Sequence, residues 1–374
     1  MHVAPFASDL PLINEALRSS YQAVQWGKNI LAIAHKTLSA RLFNSLFPTE
    51  ERTQPLSPDL QTWLKERYDA LLNSDWQDAA AGFYPASLLF DGLWQEFWQF
   101  YPVLWLDLPQ MWQRARSRRF QDFADTISLD AYPQYYRQNF HYQTDGYLSE
   151  TSANLYDLQV EILFGGTADA MRRRVIAPIA RHLQILPPTP PVRVLDVACG
   201  TGRTLKQLRY GFPEAALFGI DLSPTYLRKA NSLLAEQVGD LPQLIQGSAE
   251  ALPYIDNYFN AITCVFLFHE LPAPVRQQVI DECARVLQPG GIFVICDSIQ
   301  AIDSPAQRPM MENFANLFHE PFYRNYIEDD LNHRLEKAGL VVQEVQHHFM
   351  SKYWIAVKPQ EGGDSSPAAA IPPL

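Results

Sequence analysis

Val194-Leu195-Asp196-Val197-Ala198-Cys199-Gly200-Thr201-Gly202 is an apolar, β-branched run that ends in an acid and passes into two glycines. Such a run followed at once by Gly-x-Gly predicts a strand whose chain bends sharply at its end. Glycine serves there because backbone without a Cβ turns tightly and lets a ligand lie against it. Alone, the pair is a weak signal. A dinucleotide fingerprint would carry glycine or alanine at position 205, where Leu205 stands, and no Lys-Ser/Thr pair follows as a phosphate loop requires.

Working outward, Gly219-Ile220-Asp221-Leu222-Ser223 closes the next apolar run with a second acid, 19 residues after Gly202. In a Rossmann-like sheet that carboxylate lies beside the glycine bend and accepts both hydroxyls of a ribose. The plainer reading, a cap for the helix that Ser223 and Pro224 begin, is compatible with it. Gly247-Ser248-Ala249-Glu250-Ala251-Leu252-Pro253, an apolar run over 261–268, and Ala284-Arg285-Val286-Leu287-Gln288-Pro289-Gly290-Gly291-Ile292-Phe293-Val294 follow in order. β-branched runs at 192–197, 217–220, 243–246, 261–268, 291–296, 341–348 and 353–357 alternate with helical spacings. The expectation is an α/β fold, a Rossmann-like, seven-stranded, mainly parallel sheet with helices on both faces. For the glycine bend, the alternative is an ordinary strand-to-helix turn with no ligand or a different one.

Over residues 165–358 these five motifs, in this order, resemble the class I S-adenosylmethionine-dependent methyltransferases, within them the small-molecule branch that includes the ubiquinone and menaquinone biosynthesis enzymes. The resemblance implies S-adenosyl-L-methionine as cofactor. It puts Asp196, Gly200 and Gly202 at the methionine end, Asp221 at the ribose, Ser248 and Ala249 at the adenine, and Phe266 over the site, with Ala198 and Leu222 also among the cofactor-binding residues. Two positions depart from the family pattern. Ser248 stands where many relatives have Asp, and Asn260 replaces the Asp that commonly opens the fourth strand, a change expected to alter a surface turn only. The implied activity is methyl transfer to a small, aromatic or lipophilic acceptor. The rivals are an RNA or protein methyltransferase and a non-catalytic cofactor-binding regulatory or scaffold protein.

Methyl transfer from a sulfonium needs no metal and no covalent nucleophile, so none is expected; a base helps only where the acceptor must lose a proton. His269 and Glu270 end the fourth strand, at the sheet edge where open parallel sheets bind ligands. His269 and His141 are the candidate proton acceptors or orienting groups, and Tyr142, Tyr147, Glu270, His319 and Tyr323 the candidate substrate contacts. Capping and packing are the competing readings for each.

Ahead of the sheet the pattern is helical. Leu60, Trp63, Leu64, Tyr68, Leu71, Leu72 and Leu89, Leu93, Phe97, Phe100, Leu104 recur at three and four residues. Ser57-Pro58 is a helix start, and Pro85, Pro102 and Pro109 are expected to break the run into short pieces. Seven of the eight tryptophans fall within the first 112 residues. Trp94 to Trp112 is read first as core of a helical region, and second as a surface for peripheral membrane contact. A second helical stretch opens with the aromatic segment from Tyr135 to Tyr147, has Ser149 as a cap, and is interrupted at Gly165-Gly166 before a helix over 168–183. The organisation expected is a helical, aromatic-rich region (1–130), a helical lid or linker (131–190) that closes on the proline-dense hinge 187–191, the cofactor-binding domain (191–358), and a disordered tail (359–374).

Composition narrows the partners. Lys plus Arg number 30 against 41 Asp plus Glu, a net charge of −11, with only two short basic clusters (Arg114, Arg116, Arg118, Arg119 and Arg172 to Arg174), so no nucleic-acid partner is expected. Cys199, Cys264, Cys283 and Cys296 have no Cys-x-x-Cys or zinc spacing and read as reduced, buried thiols. With neither a secretory start nor a bilayer-length apolar run, a cytoplasmic location is expected. Nothing in the sequence bears on the oligomeric state.

Overall fold

A computed structural model describes residues 11–48, 57–92, 94–185 and 191–360. Residues 187–190 of the proline hinge and residues 361–374 of the tail lie outside these residues. Helices α1 (Pro11–Leu46), α2 (Pro58–Ala80), α3 (Trp94–Ser117), α4 (Glu150–Leu163), α5 (Ala168–Arg173) and α6 (Ile176–Ile185) precede the sheet. The sheet region runs β1 (Arg193–Val197), α7 (Arg203–Gly211), β2 (Ala216–Asp221), α8 (Pro224–Ala235), β3 (Gln243–Gln246), β4 (Phe259–Val265), α9 (Ala273–Val286), β5 (Leu287–Ser298), α10 (Arg308–Leu317), α11 (Tyr323–Tyr326), α12 (Leu331–Lys337), β6 (Val341–His348) and β7 (Ser351–Val357).

The seven strands lie in the order β3-β2-β1-β4-β5-β7-β6, parallel except for β7, which runs antiparallel between β5 and β6. Strands β1 and β4 are buried almost throughout. That is why they read as continuous apolar runs rather than alternating ones. The strand order reverses between β1 and β4, the position at which open α/β sheets bind ligands beyond the carboxyl ends of their strands. Asn260 is not at a surface turn: it is buried in β4, and its Oδ1 accepts from the Arg193 amide at 2.8 Å.

Sequence and structure differ in three helical places. Helix α3 continues through Pro102 and Pro109 instead of breaking there. Phe97 and Leu104 pack against Leu155 and Leu158 of α4, and this burial outweighs the two missing amide donors. Its tryptophans are not all core, because Trp98 is 75% exposed and Leu106 76%. The helix expected over 168–183 is split into α5 and α6, and the segment 131–149 is a loop with two single 3₁₀ turns at Gln134–Tyr136 and Phe140–Tyr142. His141, Tyr142 and Asp145 hold φ of +53°, +57° and +59°, which no continuous helix permits.

Buried charge joins the helices before the sheet to one another and to α7. Asp75 of α2 accepts from Arg173 Nε at 2.9 Å and Nη2 at 2.6 Å, from Tyr84 at 2.6 Å and from Tyr21, all fully buried. Arg174 pairs with Asp78, Arg172 with Asp157 and Asp169, and Arg203 of α7 with Asp169. Removing one partner of such a pair leaves an uncompensated charge in the interior. Arg173→Met is therefore expected to lower stability by roughly 3–5 kcal/mol, read as a shift in the urea unfolding midpoint. An unchanged midpoint would contradict this account of how the helices are held.

Candidate functional site

Two cavities meet at the carboxyl ends of β1, β2, β4 and β5. The first is a groove over the bend after β1, where Ala198 and Gly200 adopt left-handed backbone at φ +56° and +53°. The Gly200 amide donates to Asp221 Oδ2 at 2.9 Å and the Ser223 amide to Oδ1 at 2.8 Å. Both oxygens are fixed, and each retains acceptor capacity for a diol. Ala198, Gly200, Asp221, Leu222, Ala249 and Phe266 line this groove together. It continues outward past Gln246, Ser248 and Glu250, with the Ser248 hydroxyl donating to Glu250 Oε2 at 3.0 Å.

Burial raises Asp221 to about 6 against the pull of the two amides. Burial likewise raises Asp196 to about 7, opposed by the hydrogen bond from Thr263. Asp196 forms the base beneath the bend rather than the groove's lining, its Oδ1 accepting from Thr263 Oγ1 at 2.7 Å. Gly202 also differs from its expected part. It caps α7 at φ +82°, and a Cβ there would meet the Ala230 Cβ at 2.9 Å, so this glycine serves the packing of α7 on α8.

Aromatic side chains roof the groove: Tyr135, Tyr136, Phe140 and Tyr147 from the 131–149 loop, Tyr156 of α4 and Tyr226 of α8. Tyr135 ties the roof to the groove's outer end by donating to Glu250 Oε2 at 2.7 Å. Tyr156 and Tyr226 were not singled out in the sequence. Tyr226 had a signal, since it stands in the first turn of the helix that Asp221 and Ser223 start; Tyr156, one more aromatic on a helix, had none.

The second cavity is largely apolar, with Val160, Leu163, Phe164, Met310, Met311 and Phe314 in its walls, and shares Tyr156, Phe266 and Glu270 with the groove. His141, His269, Glu270 and Tyr323 line it. Tyr142 and His319 do not. The His319 ring stacks on Phe120 at 4.1 Å and its Nε2 lies 2.7 Å from Gln138 Oε1, so it braces the loop, with Tyr142 beside it.

His269 Nδ1 lies 2.6 Å from Asp297 Oδ1, and the other Asp297 oxygen accepts the Phe268 amide at 2.7 Å. The sequence reading missed Asp297, although it repeats at the end of β5 the acid that ends β2. Burial disfavours the His269 imidazolium, but Asp297 outweighs it and raises the group to about 9. His141 is likewise opposed by burial and carried to about 10 by Glu320 and Glu270. Both imidazoles are thus charged near neutral pH, which suits orienting an anionic oxygen rather than accepting a proton.

A methyltransferase-domain family profile matches residues 194–291, the stretch that carries the bend, Asp221 and β4. A demethylmenaquinone methyltransferase of Lactiplantibacillus plantarum is 30% identical over 218 residues, covering 58% of this chain and 85% of that protein. The chain belongs to the class I S-adenosylmethionine-dependent methyltransferase family. A ubiquinone/menaquinone biosynthesis C-methyltransferase of Methylobacterium nodulans is 31% identical over 154 residues, 41% of this chain. The match spans 58% of that relative's own length. An uncharacterised methyltransferase of Synechocystis sp. is 31% identical over 165 residues, 43% of this chain and 72% of that protein.

The family's cofactor is S-adenosylmethionine, and the groove fits it. Its two fixed acceptor oxygens have the chemistry and spacing a ribose diol needs, and the left-handed bend leaves backbone open to a ligand. Affinity for this cofactor is expected to fall as pH drops from about 8 to about 5, because protonation of Asp196 near 7 and of Asp221 near 6 removes negative charge and acceptor capacity. Asp221→Asn is expected to weaken binding about 10- to 100-fold and to flatten the lower part of the profile. Titration calorimetry across this range checks both; an affinity independent of pH contradicts them.

Proposed function

We propose that this protein transfers a methyl group from S-adenosylmethionine to a small, lipophilic acceptor seated in the apolar cavity. The single observation that carries the reading is the common wall: Tyr156, Phe266 and Glu270 face both the donor groove and the apolar cavity, so donor and acceptor would meet there. When bound, the cofactor supplies an electrophilic methyl whose carbon–sulfur bonding pair leaves with a neutral thioether. The chain's own task is to hold, align and exclude water, which is worth about 7–11 kcal/mol of barrier in ideal cases.

In this reading Asp221 holds the ribose, Asp196 underlies the methionine end, and Ser248 with Ala249 borders the adenine. Phe266, at φ +59° with its amide on the Cys296 carbonyl at 2.8 Å, is fixed between the two cavities. The aromatic roof keeps water from the methyl group. His269, oriented by Asp297, presents Nε2 to the acceptor and steadies an ionised oxygen.

An RNA methyltransferase is disfavoured, because the Arg172 to Arg174 cluster is buried in pairs with Asp75, Asp78, Asp157 and Asp169 and offers no basic face. We also infer peripheral contact with lipid, supported by the exposure of Ile30 and Ile33 on α1 and Trp98 and Leu106 on α3. Among the described residues, no helix is long and apolar enough to cross a membrane.

The test is incubation with methyl-labelled S-adenosylmethionine and a panel of alkylated phenols and quinols. Label is expected in an organic-extractable product. His269→Asn is expected to lower turnover by about 10²-fold or more while cofactor affinity stays within about threefold. Cofactor binding with no labelled product from the panel or from a lipid extract would favour a non-catalytic binding protein.

A further inference from the structure

We propose that His141, Glu270 and Glu320 form a binding site for a divalent first-row cation whose open positions take an ionisable oxygen of the acceptor. The cation site stands on its own geometry; its service to an acceptor rests on the methyl-transfer reading above.

The three donors come from separate segments: the 131–149 loop, the turn after β4 and the loop after α10. His141 Nε2 is 2.8 Å from Glu320 Oε1 and 3.8 Å from Glu270 Oε1, and the ligand atoms of all three residues lie within 4.8 Å of one another. Donors sharing a cation at about 2.1 Å sit roughly 3.0–3.5 Å apart for ligand angles between square and tetrahedral. Small side-chain shifts close the set. Among the described residues, no other cluster of this kind occurs.

A second observation separates this cluster from an ordinary ion pair. The Glu320 side chain is fully buried; His141 Nε2 at 2.8 Å is the one group against Oε1, and Oε2 makes no hydrogen bond. An unfilled lone pair on a buried carboxylate keeps its desolvation cost. Glu320 thus keeps one oxygen, Oε2, unfilled within this cluster. Glu270 is steadied as metal-ligating carboxylates are, by a Tyr147 hydroxyl that donates to its Oε1 at 2.5 Å. His141 is presented from left-handed backbone, a strained conformation of the kind found where a side chain is aimed for function.

Charge points the same way. Three carboxylates, Glu270, Glu320 and Asp297, face two imidazoles, His141 and His269, at the edge of a mostly apolar cavity that His141, His269 and Glu270 line. A divalent cation on a neutral His141 balances them. One imidazole and two carboxylates suit Mn²⁺, Fe²⁺ or Zn²⁺. The remaining positions open on the apolar cavity beside Phe266. An acceptor hydroxyl bound there loses its proton to water, and its oxygen stays on the cation as the anion.

The full-length chain, stripped with chelator, is titrated with Mn²⁺ while the electron paramagnetic resonance of the free ion is followed. A single site is expected in the wild type, weakened at least tenfold by Glu320→Gln and by His141→Gln. S-adenosylmethionine titration of each variant confirms that it is folded. Free Mn²⁺ undiminished at millimolar concentration, or equal affinity in folded variants, overturns the site. Addition of 4-tert-butylcatechol is expected to change the spectrum of the bound ion; an unchanged spectrum overturns the acceptor's part. Mn²⁺ binding in a chain that fails to bind S-adenosylmethionine would support the site while removing the methyl-transfer reading.

Discussion

The bond from the Gly200 amide to the Asp221 carboxylate ties the end of β1 to the end of β2, and the rest of the site is arranged around it. An isolated buried carboxylate is costly; two backbone amides offset that cost and leave its oxygens turned toward the groove. The same corner anchors the roof. Ser223, which caps α8, donates from Oγ to the Tyr147 carbonyl at 2.6 Å, and Thr225 Oγ1 donates to the Leu148 carbonyl at 3.2 Å. The loop that covers the groove is thus fastened to the residues that follow its central acid.

The helices before the sheet depend on a different kind of bond. Arg172, Arg173 and Arg174 each meet carboxylates in the interior, and these pairs join α2 and α4 to α5, with Arg203 carrying the connection to α7. Against a hydrophobic interface of equal area such pairs add little stability, but they punish any other docking of the helices. That fixed docking brings α4, and with it Tyr156, to the wall shared by the two cavities.

Most of the sheet was legible because its signals are local. A strand ending in acid and glycine, a second strand ending in acid and the alternation with helices each occupy a few consecutive residues. The acceptor side was less so. Glu320 meets His141 across a long stretch of chain, and no spacing rule joins a loop after α10 to a loop before α4. The left-handed backbone at His141, Tyr142 and Asp145 falls on residues that composition would assign to helix or turn equally well. Pro102 and Pro109 misled for the opposite reason: a local rule was overridden by the packing of α3 on α4. The resemblance put Gly202 beside Gly200 at the methionine end; the approach of Ala230 to Gly202, where Gly200 lies open to the groove, is a contact across the fold that no local spacing shows.

The central claim is that the corner of Gly200 and Asp221 holds the adenosyl donor with its sulfur directed at the wall of Tyr156, Phe266 and Glu270. A crystal structure of the complex with S-adenosylhomocysteine tests it most directly. The account predicts both ribose hydroxyls on the Asp221 carboxylate and the sulfur facing that wall. A ligand bound elsewhere, or an Asp221 turned away from the sugar, would contradict it.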